Sequence, residues 1–152
     1  MTPPPARSAE QRKSDVLDRF ENDVDAWVSS ADGEGNAYLV PLSFLWDGAE
    51  MILATAVASQ TGRNLMASGR ARIGVGPTRD VTLIDAVVTE TLRPAEVSPE
   101  FGEAFQAKAG FDPRESGDGY RYFRVRPQRV QAWREVNELK GRELMREGRW
   151  LV

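Results

Sequence analysis

Two short stretches carry the residue types that chemistry needs. In Val40-Pro41-Leu42-Ser43 a proline stands inside a long apolar run. Proline cannot donate to a strand ladder, so it marks a bulge, an edge or a gap where neighbouring backbone groups are free to bond the polar rim of a planar ligand. A bulged edge strand with no ligand is the plain alternative. The second stretch ends a strand at Thr55 and opens a helix with Ser59, Gln60, Thr61, Gly62, Arg63 and Asn64. Helix N-termini attract anions because their N–H groups are unpaired and the helix dipole is positive there. Ser59, Thr61 and Arg63 add side-chain donors, and Asn64 is placed to bond either a strand or a ligand. The plain alternative is that Ser59 only caps the helix and Arg63 is solvated.

What is missing narrows the chemistry further. The 152 residues include no Cys and no His. This removes thiol nucleophiles, Ser-His-Asp and Cys-His arrangements, most zinc sites and a histidine ligand to haem. No carboxylate cluster sits where strands and loops would converge it. Redox or group-transfer chemistry would therefore fall to a bound organic cofactor.

The net charge of −3 argues against a general nucleic-acid binder, yet the charge is uneven. From Arg121 to Val152 nine Lys/Arg face four Glu, giving that segment +5 and the remainder −8. A local basic surface for an anion is the expectation. Tyr120 to Arg126 interleaves aromatic and basic residues as single-strand binders do, but the alternation also fits an amphipathic strand with Phe123 and Val125 on one side and Arg124 and Arg126 on the other. No apolar run approaches the roughly 18 residues that span a bilayer. Residues 1–13 have prolines and charges but no apolar core of a secretory signal. The expected location is the cytoplasm, with no nucleic-acid or membrane partner.

The elements that must position these residues follow from periodicity. Residues 1–7 are Pro-rich and expected to be disordered; residues 8–152 read as a single domain. Ser8 with Gln11 makes a capping box for a helix to Glu21, with Val16, Leu17, Phe20 and Val24 near one face. Strands are expected at 26–30, 37–46, 50–56, 70–76, 81–92 and 120–133, the last interrupted at Pro127. Asp47-Gly48 marks a hairpin. Helices are expected from Ser59 to Ser68, closed by Gly69, and from Ser98 to Gly110, with Phe101, Ala104, Phe105 and Lys108 on one face. The tail from Glu138 fits either a helix or a hairpin around Glu147-Gly148. Strands joined by short turns predict a mainly β, α+β fold: a six-stranded antiparallel barrel with helices at its openings. Apolar residues on both faces, such as Tyr38, Val40, Leu42 and Phe44 against Leu39 and Leu45, favour a dimer.

These motifs in this order carry a resemblance. Pro41-x-Ser43, Trp46-Asp47-Gly48, Thr55, Ser59-x-Thr61-x-Arg63-Asn64-Leu65, the turn Gly76 to Asp80 and the strand Val130 to Arg134 resemble the pyridoxamine 5′-phosphate oxidase-like, FMN-binding split-barrel superfamily. The likeness runs from about Asp25 to Trp133 and is nearer to small actinobacterial members. It implies a Greek-key split barrel and a homodimer with cofactor sites at the subunit interface. The backbone at Pro41, Leu42 and Ser43 would lie beside the flavin ring. Thr55, Ser59, Gln60, Thr61, Arg63 and Asn64 would hold the ribityl and phosphate groups. Trp133, with Arg134, is placed to reach a cofactor across the interface, and plain packing of its indole is the equal alternative. Many members have Lys where this chain has Thr61, and the Arg-x-x-Leu-Lys phosphate motif of true pyridoxamine phosphate oxidases is absent. Some relatives use the deazaflavin coenzyme F-420, whose acidic tail the basic C-terminal segment, with Arg124 and Arg126, would suit. The resemblance implies an FMN- or F-420-dependent oxidoreductase acting by hydride transfer on an unknown small organic substrate, and not a true pyridoxamine phosphate oxidase. The alternative is a non-catalytic flavin or ligand carrier of the same fold, or a barrel with no cofactor.

Overall fold

The computed structural model describes residues 2–152; Met1, the first residue of the segment expected to be disordered, lies outside them. Helix α1 (Ala9–Asn22) starts where Ser8 accepts a bond from the Gln11 N–H, but the Gln11 side chain turns to Asp15 instead of completing the box. Its buried stripe is Arg12, Val16 and Phe20, whereas Val24 is left exposed beyond its end.

Strands β1 (Asp25–Ala31), β2 (Ala37–Trp46), β3 (Met51–Ala56), β4 (Arg70–Val75), β5 (Val81–Leu92) and β6 (Tyr120–Trp133) form a closed six-stranded antiparallel barrel, as the alternation predicts. The order around it is β3-β2-β1-β4-β5-β6, and β6 returns to β3. Between β3 and β4 the chain crosses past β2 to the far side of β1, the Greek-key step, through helix α2 (Gln60–Ser68). The C-terminal tail resolves as a hairpin, β7 (Glu143–Arg146) and β8 (Arg149–Trp150), turning through left-handed Glu147 and Gly148. At Pro127 the last barrel strand is not broken: Arg129 pairs with Asp85 and Pro127 with Ala86, so Gln128 bulges out and absorbs the missing donor.

Inside the barrel pack Val28, Phe44, Leu53, Ile73, Ile84, Phe123 and Val125, under Val16 and Phe20 of α1. A second core lies outside the barrel wall beneath helix α3 (Pro99–Ala109), where Ile52, Ala54 and Tyr122 meet Phe105 and Ala109. The buried face of α3 uses Gly102 and Ala109, while Ala104, expected there, is exposed. The Tyr122 hydroxyl is enclosed by this core with no hydrogen-bond partner among the described residues, and burial raises its pKa. A buried hydroxyl without a partner costs stability. Tyr122→Phe is therefore expected to be neutral or to stabilise by up to about 1 kcal/mol. A thermal melt showing a loss well beyond that would mean the hydroxyl has a partner.

Candidate functional site

The barrel is split between β2 and β3. Their ladder pairs Phe44 with Leu53, Leu45 with Ile52 and Trp46 with Met51, and then stops. Two further steps would have set Leu42 against Thr55. Instead β2 stays paired to β1 as far as Ala37, and β3 stays paired to β6 as far as Ala56. The facing edges of both strands are left open at this point. Pro41 sits on that open part of β2, in unbroken register with Trp27 of β1, so it marks an edge and not a bulge.

The other lip is built by the β3–α2 connection. The Ser59 hydroxyl caps α2, accepting from the Gly62 N–H at 3.0 Å, donating to the Ala56 carbonyl at 2.7 Å and lying 3.3 Å from Thr55 Oγ1. The Arg63 N–H bonds the Ser59 carbonyl. The N–H groups of Gln60 and Thr61 have no acceptor among the described residues, and the first turn carries no acid. Arg63 is exposed and folds back over this turn, donating to the Ala58 carbonyl and, at 2.7 Å, to Gln60 Oε1. Gly62 lets the turn sit directly on the chain below it, since a Cβ there would fall 2.1 Å from the Ala56 carbonyl oxygen.

Thr55, Ser59, Gln60 and Arg63 thus come together at one lip, across the opening from Leu42. Pro41 and Ser43 lie on the outer face, as their pairing with exposed Trp27 and Asp25 requires, and share with Leu42 only the open backbone edge. Thr61 is buried in the first turn. Asn64 is also buried; it donates to Ser30 Oγ of β1 at 3.1 Å and accepts from Gln60, so it bonds the strand. Trp133 stands at the far end of β6 from Arg121, the residue paired with Thr55, and within this chain does not join the group. Its ring lies 5.8 Å from the Arg142 guanidinium.

Arg121 is the residue that sequence reasoning missed. The β3–β6 ladder sets it opposite Thr55, and among the described residues its guanidinium bonds only the carbonyls of Asp118 and Tyr120. Only the strand pairing, and no local motif, brings it to the lip.

The expected basic surface on the C-terminal segment is largely neutralised. Arg124 bonds Asp47 at 2.7 Å and reaches Glu50 and Glu90, Arg126 reaches Glu50, Arg129 bonds Glu143, and Arg134 lies between Asp15 and Asp80. Burial pushes the Asp47 carboxyl up, but the N–H groups of Glu50 and Ala49 and the Arg124 guanidinium outweigh it and hold it below the usual range. A net +5 in sequence is not a field in space when Arg124, Arg126, Arg129 and Arg134 all lie against acids.

Two clefts of about 410 Å³ flank β1. One runs along β1, β4 and β5 past Arg70, Arg72 and Asp85. The other lies between Trp27, Pro41, Gly74 and Gly76, with Asp23 and Asp25 at its side.

The fold is a closed six-stranded split barrel. Solved structures share it at low identity. An F420 reductase is similar over 74% of this chain and 93% of its own, with 15% identity and a TM-score of 0.63. A protein from Listeria innocua described as a pyridoxamine 5′-phosphate oxidase matches over 81% and 98%, at 11% and 0.62. A FAD-binding protein from Mesorhizobium loti matches over 78% and 89%, at 14% and 0.61. No protein-family model and no curated protein matches the sequence. Among the described residues no helix is long and apolar enough to cross a membrane.

Proposed function

We propose that this chain is a flavin- or deazaflavin-dependent oxidoreductase that works as a homodimer, with the cofactor seated at the β2–β3 opening. The observation that carries the reading is the opening itself: an unpaired strand edge at Pro41–Ser43 facing a helix start with two free N–H groups and two guanidiniums, Arg63 and Arg121. The open β2 edge offers backbone donors and acceptors to the polar rim of a flat ring. The α2 start and the two arginines suit a phosphate. Thr61 in place of a lysine leaves that charge to Arg63 and Arg121. Reduced FMN bound there, or reduced F-420 as the second candidate, would supply the hydride; the chain binds, orients and excludes water.

The dimer is supported by an uncovered outer stripe. Leu39 on the outer face of β2 is 58% exposed, whereas Leu45 on the same side of the strand is covered by the α3 core. The substrate is a small organic acceptor, and in the purified protein the reading requires oxidation of reduced cofactor faster than the free cofactor reacts with the same acceptors. Rates no faster than free cofactor, with tight binding intact, would favour a carrier.

Arg63→Glu is expected to weaken binding of a phosphorylated cofactor by at least about tenfold, with an unchanged melting temperature, because exposed side-chain changes usually alter stability by less than about 0.5 kcal/mol. Unchanged affinity would remove Arg63 from the site.

A further inference from the structure

The cleft on the outer face of β1, β2 and β4 shares only Pro41 with the proposed cofactor seat. Two features of it serve no packing within this chain. Trp27 presents its indole to solvent at 54% exposure. Gly74 stands directly across from it in the β1–β4 ladder. A Cβ at Gly74 would meet only Leu83 Cδ2, at an ordinary 3.7 Å, and the backbone there is not left-handed. The fold does not require glycine at this position. In a strand interior glycine weakens the strand and commonly marks the close approach of another group. Its missing side chain leaves bare floor beside the indole.

The charge beside that floor is negative. Asp25 accepts from the Ser43 hydroxyl at 2.7 Å, and no cation lies within ion-pair distance of it among the described residues. The nearby cations are already engaged. Arg19 is shared by Asp23 at 3.2 Å and Asp80 at 2.6 Å. Lys108 donates to the carbonyls of Asp23 and Phe44 at 2.5 and 3.2 Å, with Asp23, Glu21 and Asp25 around it.

We propose that this cleft binds a flat organic cation: an aromatic ring bearing an amidinium, pyridinium or ammonium group, laid over Gly74 against the Trp27 indole with its charge on Asp25. Indole faces attract cations through the ring quadrupole, and a carboxylate held by a hydroxyl is a ready acceptor for a charged N–H. Use of the cleft as the acceptor-substrate site rests on the flavin reading. The binding itself does not.

The test is a fluorescence titration of the full chain with p-aminobenzamidine, with benzamide and benzoate as neutral and anionic competitors. The proposal expects saturable binding, displacement by neither competitor at equal concentration, and at least a tenfold loss of affinity in Asp25→Asn and in Gly74→Val. Gly74→Val keeps a strand-favouring residue, and a melting curve on each variant separates lost binding from lost fold. Absence of saturation, displacement by benzoate, or wild-type affinity in both folded variants would overturn it. So would a Gly74→Val protein that changes its oligomeric state on size exclusion yet binds the probe unchanged, because the face would then be a contact between copies. A parallel FMN titration keeps the two claims apart: cation binding without FMN binding sinks only the cofactor reading, and the reverse sinks only this cleft.

Discussion

Glu138→Ala is expected to destabilise the protein by about 3–5 kcal/mol, the cost of removing one partner from a buried ion pair. Glu138 is 3% exposed and receives Arg7 through its backbone N–H at 2.8 Å, its Nε at 3.0 Å and its Nη2 at 2.7 Å, with the Arg134 N–H at 2.8 Å. Arg7 also bonds Asp15, and the neighbouring Arg12 is buried against the carbonyls of Glu138 and Gly141. The truncation would leave the Arg7 guanidinium, itself only 11% exposed, without its main partner. For a chain of this length each kcal/mol is worth about 2–4 °C, so a thermal melt should fall by roughly 10 °C.

The same group sets a pH dependence. The hydrogen bonds from Arg7 outweigh burial and hold the Glu138 carboxyl down at about 2. Its folded value is depressed below the unfolded one, so its contribution is complete above the usual glutamate range, near pH 4.5, and is lost as the pH falls towards 2. Wild-type stability should therefore drop between pH 5 and pH 2 (roughly, by linkage) more steeply than that of Glu138→Gln. Parallel slopes for the two proteins would show that Glu138 does not titrate with unfolding.

Gly62→Ala is the second large effect, about 1–3 kcal/mol, the range of an overpacked core position. The added methyl would lie 2.1 Å from the Ala56 carbonyl oxygen and 3.0 Å from Val57 Cα, and backbone cannot swing aside as a long side chain can. Relief requires α2 to lift from the end of β3, which would also separate Ser59 from Thr55. Stability and cofactor affinity should fall together. Gly33→Ala, whose Cβ meets nothing within 4 Å, is the control and should melt like wild type. Equal melting temperatures for the two variants would contradict the close approach.

The strands were readable because their alternation is set by one face being buried, and the helix ends because Ser8, Ser59 and Ser98 sit at caps and Gly69 and Gly110 at left-handed stops. The tail was ambiguous because four residues of β7 carry too little periodicity to separate hairpin from helix. The site was half legible. Ser59 as cap, Arg63 at the first turn and the Pro41 edge are local features, and local sequence carries them. Asn64 could not be assigned, since its partner Ser30 comes from a strand far away in the chain. Arg121 was invisible for the same reason, as β3–β6 pairing alone makes it a neighbour of Thr55. The basic C-terminal segment misled because charge counted along the chain ignores the acids that folding brings beside Arg124, Arg129 and Arg134.

The most direct test of the central claim is an equilibrium titration of the cofactor-free protein with FMN and, separately, with F-420, followed by sedimentation of the complex. A dissociation constant at or below about 10 μM for one of them, some 7 kcal/mol of binding, is the predicted result, with one cofactor per subunit of a dimer and weaker binding in Arg63→Glu. No saturable binding of either at that level by a folded protein would contradict the claim that the β2–β3 opening is a flavin seat.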